Sequence, residues 1–246
     1  MKNMNIAIIF AGGIGTRMHS KDLPKQFLLM HGKPIIAHTI EVFEKSDEID
    51  GIVISCVPEW IDHLKKIIEF YHYSKIWKIV EGGKTGQLSI YNALIAAKSF
   101  VDGRKDIVLI HDGVRPLITC KTIHDNIQSV KRNGSAITCV PATETVLEVT
   151  KDNKIANIPD RNETRMARAP QSFFLNDILE AHNLALKDGL TSFIDSCSMM
   201  RHYEHSLYLV EGPSINIKVT TPQDFYVMRA LLDERENNQI YGELDE

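Results

Sequence analysis

Between Ile6 and Val140, short apolar runs alternate with segments of helical periodicity. The runs Ile6–Phe10, Gly51–Cys56, Trp77–Val80, Ile107–Ile110 and Ala136–Val140 are rich in Ile and Val, as buried strands are. Between them, Ile35–Glu44, Glu59–Tyr71, Gln87–Phe100 and Lys121–Arg132 carry apolar residues at helical spacing. Pro34 suits a first helical turn, and Asn133-Gly134 suits a helix stop. That rhythm predicts an α/β fold: a Rossmann-like, doubly wound, mainly parallel sheet with helices on both faces. Ligands of such sheets sit at the carboxyl ends of the strands.

Thr143–Arg168 breaks the rhythm. The segment is polar, its candidate strands Thr145–Thr150 and Lys154–Ile158 are short, and Asp152-Asn153 suits a hairpin turn. It reads as a β-arm projecting from the body. Beyond it, Asn176–Lys187 and Thr221–Glu234 read as helices, with Asn176 and Thr221 as N-caps. Ser206–Val210 and Ile215–Val219 read as further strands, and the acidic tail beyond Asp233 as a fraying end. The expectation is one domain over residues 1–246, with residues 143–168 as its arm.

The most chemical stretch follows the first strand. Gly12, Gly13 and Gly15 let the backbone turn sharply and bare its N–H groups, and Arg17 and Lys25 add positive charge close by. A strand entering a glycine-rich, cation-tipped loop suits a polyphosphate. The dinucleotide fingerprint G-x-G-x-x-G fails at Met18, where its third glycine belongs. The P-loop fails too, because Gly83-Lys84-Thr85 lacks the earlier glycine and Gly32-Lys33 runs into Pro34.

A net charge of −4 and a pI near 6.2 leave no basic footprint for nucleic acid. No run is long and apolar enough for a membrane span, and the N-terminus does not read as a signal peptide. Cys56, Cys120, Cys139 and Cys197 are scattered, without C-x-x-C or zinc spacing. A soluble, cytoplasmic protein with no nucleic-acid or membrane partner is expected.

Ala11-Gly-Gly-x-Gly-Thr-Arg-Met18 followed by Leu23-Pro-Lys-Gln-Phe27 resembles the opening signature of the sugar-phosphate nucleotidyltransferases. His111-Asp-Gly-Val-Arg-Pro116, Ala169-Pro-Gln171 and Asn216-Ile-Lys-Val-Thr220 extend the resemblance to cytidylyltransferases acting on polyol phosphates. Two families fit, those for ribitol 5-phosphate and for 2-C-methyl-D-erythritol 4-phosphate. Phe10-Ala11-Gly-Gly and the His111–Pro116 motif lie nearer the ribitol form, which belongs to cell-surface polymer synthesis; the methylerythritol form serves isoprenoid synthesis.

The implied reaction is attack by an acceptor phosphate oxygen on the α-phosphorus of CTP. A phosphate monoester is already anionic near pH 7, so no activating Ser-His or Cys-His pair is needed. The demand is electrostatic, met by cations, backbone amides and a divalent ion such as Mg²⁺ bound mainly through the triphosphate. Arg17 and Lys25 are the first candidates for the phosphates, and Lys218, on the opposite side of its segment from Ile217 and Val219, is the third.

Asp112, at a strand's carboxyl end, would meet metal-bridged phosphate or polyol hydroxyls. Arg115 would place phosphate or acceptor, or pair with Asp112, and His111 is packed rather than catalytic. The resemblance assigns Ala11, Gly12, Gly13, Gly15, Gly82, Gly83, Ser89, Asp112 and Gly113 to the nucleotide. It assigns Thr145 and Arg161 on the arm to the acceptor phosphate, with Arg165 and Arg168 close enough in sequence to compete with Arg161, and Asp195 to the polyol hydroxyls. It also implies that the arm embraces a second subunit, making a homodimer.

The chain departs from both families at two positions. Gly86 stands where their G-G-x-x-R-x-x-S has arginine, and Ala169 where T-P-Q has threonine. Lys84 stands near enough to substitute for that arginine, but arginine and lysine are not interchangeable at a bidentate site. Those departures keep a non-catalytic CTP-sensing module in view, while the missing third glycine counts against a nicotinamide dehydrogenase.

Overall fold

The computed structural model describes residues 2–12, 23–103 and 105–241. Its centre is β1 (Asn5–Ala11), whose two faces are both buried. Ala7 and Ile9 pack into one apolar cluster, and Ile6 and Ile8 into another on the other face. A strand covered on both sides needs a continuous apolar run, which explains the composition of Ile6–Phe10.

β1 pairs in parallel with β4 (Gly51–Cys56) on one side and β6 (Ile107–Asp112) on the other; β5 (Ile76–Glu81) extends the sheet beyond β4. α1 (Ile35–Lys45), α2 (Ile61–Phe70) and α4 (Cys120–Asn133) cover one face. α3 (Gly86–Lys98), α5 (Leu175–Lys187) and α6 (Ser196–His202) cover the other. Each fully buried side chain such as Ile40, Phe43 or Ile178 contributes about 1.5–3 kcal/mol relative to exposure. Thr119 caps α4 by accepting from Thr122 N–H at 3.1 Å, and Gly134, at φ 87°, ends it in the left-handed conformation.

On the far side of β6 the sheet changes character. β10 (Arg165–Phe174) runs antiparallel between β6 and β7 (Ser135–Pro141), and β11 (Leu209–Glu211) closes that edge in parallel with β7. The full order is β11-β7-β10-β6-β1-β4-β5 once two small hairpins are set apart: β2 (Leu29–Met30) with β3 (Lys33–Pro34), and β8 (Glu148–Val149) with β9 (Ile155–Asn157). The β8–β9 hairpin is exposed throughout. α7 (Pro222–Tyr241) seats Met228 in a third apolar cluster with Met30, Ile35, Val114, Leu117 and Val219. Among the described residues, no helix is long and apolar enough to cross a membrane.

Four expectations are corrected. Arg165–Arg168 is not arm but the start of β10, and that whole strand goes unread in the sequence because Pro170 interrupts it. Ile215–Val219 joins no ladder; Ile217 and Val219 do face the third cluster, but the backbone link there is Val219 N–H to Val114 C=O at 3.0 Å. α5 starts one residue earlier than expected, so Asn176 lies inside it, and Phe174 occupies the cap position without a side-chain bond. Finally, Glu59 and Trp60 belong to a 3₁₀ turn, Pro58–Trp60, that leads into α2.

Candidate active site

The carboxyl ends of β1, β4, β5 and β6 all open at one edge of the sheet, as parallel pairing requires. At that edge Gly12 follows β1 and the Gly82–Gly83 turn follows β5. Gly82 N–H donates to Cys56 C=O at 2.7 Å, and Gly83 N–H to Ser89 Oγ at 3.0 Å. A Cβ on Gly12 would stand 2.7 Å from Ser89 Oγ, so the two loops touch only because residue 12 lacks a side chain. Gln26, buried, donates from Nε2 to Ala11 C=O at 2.8 Å and so ties the Lys25–Phe27 turn, with half-buried Lys25, to the end of β1. Arg17, Gly13 and Gly15 lie outside the described residues.

The centre of charge is Asp112, the last residue of β6. Its Oδ2 accepts from Arg115 Nε at 2.7 Å, and its Oδ1 pairs with Lys218 Nζ. Burial alone would push this carboxyl up, but the Lys218 and Arg115 cations and their hydrogen bonds override it and hold Asp112 at about 2. Arg115 also donates from Nη1 to Asn216 C=O at 2.9 Å, and Asn216 Nδ2 donates to Ala169 C=O at 2.8 Å. Gly113 N–H donates to Phe10 C=O at 3.1 Å, and Lys218 Nζ stands 5.6 Å from the Phe10 ring centroid. The three charged residues leave one net positive charge at the mouth of a cavity of about 370 Å³.

His111 is fully buried, with Nε2 3.0 Å from Arg115 C=O and its ring 5.2 Å from that of Phe43. Burial lowers its pKa to about 4, so it packs as a neutral ring. Asp195 lines the cavity but is engaged locally. Its Oδ1 caps α6 by accepting from Ser198 N–H (2.7 Å) and Oγ (2.6 Å), and its Oδ2 accepts from Gln171 Nε2 at 2.9 Å. Gln171 in turn accepts Cys197 N–H at 2.8 Å. Thr145 and Arg161 are exposed on the arm and do not line the cavity.

Gln26, Gln171 and Asn216 are the supporting residues that sequence reading missed. All three lie inside the quoted motifs, yet a motif does not say which carbonyl an amide will satisfy. Gly86 opens α3 and lines the cavity, with no atom within 4 Å of where its Cβ would be. Thr85, just before it, accepts from Leu88 N–H at 3.2 Å and is the N-cap.

A protein-family profile described as IspD, 2-C-methyl-D-erythritol 4-phosphate cytidylyltransferase, matches residues 5–234. The chain belongs to this cytidylyltransferase family. As a member of the IspD family it is a nucleotidyltransferase, and the sensing-module and dehydrogenase readings fall away. A protein of Streptococcus agalactiae serotype V named ribitol-5-phosphate cytidylyltransferase is 51% identical over 239 residues, 97% of this chain and 99% of that relative. One of Vibrio parahaemolyticus with the same name is 47% identical over 97% of this chain and all of the relative. Among solved structures, 4-diphosphocytidyl-2C-methyl-D-erythritol synthase of Anaerococcus prevotii superposes with a TM-score of 0.81 at 26% identity, covering 94% of this chain and 96% of the other.

Proposed function

We propose that the chain transfers a cytidylyl group from CTP to ribitol 5-phosphate. The observation that carries the acceptor is similarity along the whole chain: four relatives named for ribitol 5-phosphate are 47–51% identical, ahead of a Clostridium novyi relative named for 2-C-methyl-D-erythritol 4-phosphate at 36%, although a further ribitol-named relative, of Lactiplantibacillus plantarum, is 35% identical. A phosphate oxygen of the acceptor forms a bond to the CTP α-phosphorus, the α–β bridging bond breaks, and pyrophosphate leaves with the electron pair. Lys218, paired with Asp112 and close to Phe10, would stabilise the α-phosphate as charge develops there. Arg17 and Lys25 are the further cations of this step.

The described residues hold no group of three metal-ligating side chains, and both Asp112 oxygens already meet cations. A Mg²⁺ carried mainly by the triphosphate would find Asp112 as its protein ligand here, with Asp195 the other carboxylate lining the cavity. When bound, the ion supplies Lewis-acid neutralisation of phosphate charge.

The arm completes the proposal. Leu147, Val149, Ile155 and Ile158, with Met166 at the adjoining start of β10, are about half exposed or more, an apolar set that suits a second copy of the chain. In that homodimer, Thr145 and Arg161 of each arm would serve the acceptor site of the other subunit. Four free cysteines suit a reducing cytoplasm.

Pyrophosphate release with Mg²⁺-CTP, measured in parallel with ribitol 5-phosphate and 2-C-methyl-D-erythritol 4-phosphate, tests the reading. Turnover with ribitol 5-phosphate is expected. Turnover with the methylerythritol substrate alone would overturn the acceptor assignment.

A further inference from the structure

The bulge in β10 places a charged residue that no motif assigns. Ala167 stands opposite Cys139 and Gln171 opposite Ile137, so four steps along β10 face two along β7. Pro170, which has no N–H to give the ladder, lies inside that slack. The excess residues, Arg168 and Ala169 among them, leave the pairing and line the cavity next to Asp112 and Arg115. Asn216 Nδ2 holds the bulge by bonding Ala169 C=O. Bulges re-aim side chains, and this one aims an arginine.

Arg168 differs from the other cations of the cavity. Arg115 and Lys218 are both committed to Asp112. Asp195, the other carboxylate lining the cavity, accepts from Ser198 and Gln171. Among the described residues Arg168 enters no ion pair, and its Nε is buried without a hydrogen-bond partner. Burial, with Arg115 nearby, lowers its guanidinium from the usual value. A half-buried guanidinium beside other cations lacks an anion, and a planar fork matches a phosphate's oxygens.

We infer that Arg168 is a substrate-binding residue that holds the phosphate of the acceptor from within the same subunit. This rests on the acceptor being a phosphate monoester, as proposed above. Ala169, beside it, offers no hydroxyl, so recognition at the bulge passes from a neutral donor to a charged one. The contact selects for the dianionic end of the acceptor rather than for its hydroxyls.

Arg168→Gln keeps the length and polarity and removes the charge. The expected result is a KM for ribitol 5-phosphate raised about 10- to 100-fold, the scale of a charge-assisted bond, with KM for CTP within roughly twofold of wild type. Arg168→Lys should fall between the two, because it keeps the charge and loses the fork. A second readout needs no turnover: inorganic phosphate titrated into the full-length protein by calorimetry should bind roughly tenfold more weakly to Arg168→Gln than to wild type. If CTP affinity falls instead, Arg168 serves the nucleotide; if only thermal stability or dimerisation moves, its role is structural. Either outcome overturns the inference. Wild-type silence with ribitol 5-phosphate, combined with phosphate binding that depends on Arg168, would sink the choice of acceptor and leave Arg168 as the phosphate contact.

Discussion

At the end of β6, Asp112, Arg115 and Lys218 satisfy one another, and Asp112 and Arg115 are each less than a tenth exposed. On the arm, Thr145 and Arg161 face solvent on either side of a hairpin whose strands are exposed throughout. The first region is organised by its own subunit before any substrate arrives. The second takes on a defined surface only when something covers its apolar residues. On the reading proposed above, the difference divides the reaction's needs: charge at the α-phosphate would be preorganised by the sheet, whereas the arm's share of acceptor binding would await a neighbour.

The largest expected effect bears on the preorganised half. Lys218→Ala should lower kcat at least about 100-fold, the scale of a lost oxyanion-type donor, with KM for the acceptor changing far less. Lys25→Ala should behave similarly. Near-normal turnover in the Lys218 variant would mean the Asp112 pair is structural.

Next comes the arm. Leu147→Glu with Ile155→Glu should dissociate the dimer in light scattering and raise the acceptor KM roughly tenfold or more through loss of Arg161. Arg161→Ala should match that KM effect while remaining dimeric. A double variant that is monomeric and fully active would show that the arm contributes nothing in trans.

A third expectation concerns pH. His111 and His182 are both buried, and desolvation lowers each to about 4 from an ordinary value near 6.5. The unfolded chain therefore binds more protons as pH falls from about 6.5 towards 4, and stability drops across that window by roughly 1.4 kcal/mol per pH unit for each proton. Asp112, held at about 2, acts lower: its contribution is present above about pH 4 and fades as pH falls towards 2. Urea unfolding at several pH values should show this slope, and His182→Leu should flatten it. An unchanged slope would show that His182 is not the group titrating.

The smallest effect tests a departure from the family pattern. Gly86→Ala, at the start of α3 with open space around the Cβ, should stabilise the protein by about 0.4–1 kcal/mol through the unfolded state. Destabilisation in thermal melts would mean that space is not free.

The preorganised half was also the more legible one. Ile6–Phe10, Gly51–Cys56 and Ile107–Ile110 announce buried parallel strands because they need apolar residues on both faces, and their ends fix where Gly12, Gly82 and Asp112 meet. β10 carries no such signal. Its first three residues are exposed, Pro170 interrupts it, and its place between β6 and β7 is set by partners remote in the chain. Ile215–Val219 alternates like a strand because Ile217 and Val219 face the α7 cluster, but alternation does not supply a neighbouring strand to pair with. Within the site, the sequence could not separate Arg168 from Arg161 and Arg165 for the same reason that it missed β10: its direction comes from a bulge, and a bulge is a property of two strands.

The bond from Arg115 to Asn216 spans 101 positions of sequence. At 5–20 residues per second, a ribosome needs roughly 5–20 s to make that stretch. During that interval the β6 carboxylate stands without Lys218, and β10, which must insert beside β6, is complete only once Phe174 has been made. The order of synthesis thus keeps the nascent chain from assembling its phosphate site early. The Asp112 charge cluster can close only once Lys218 has been made.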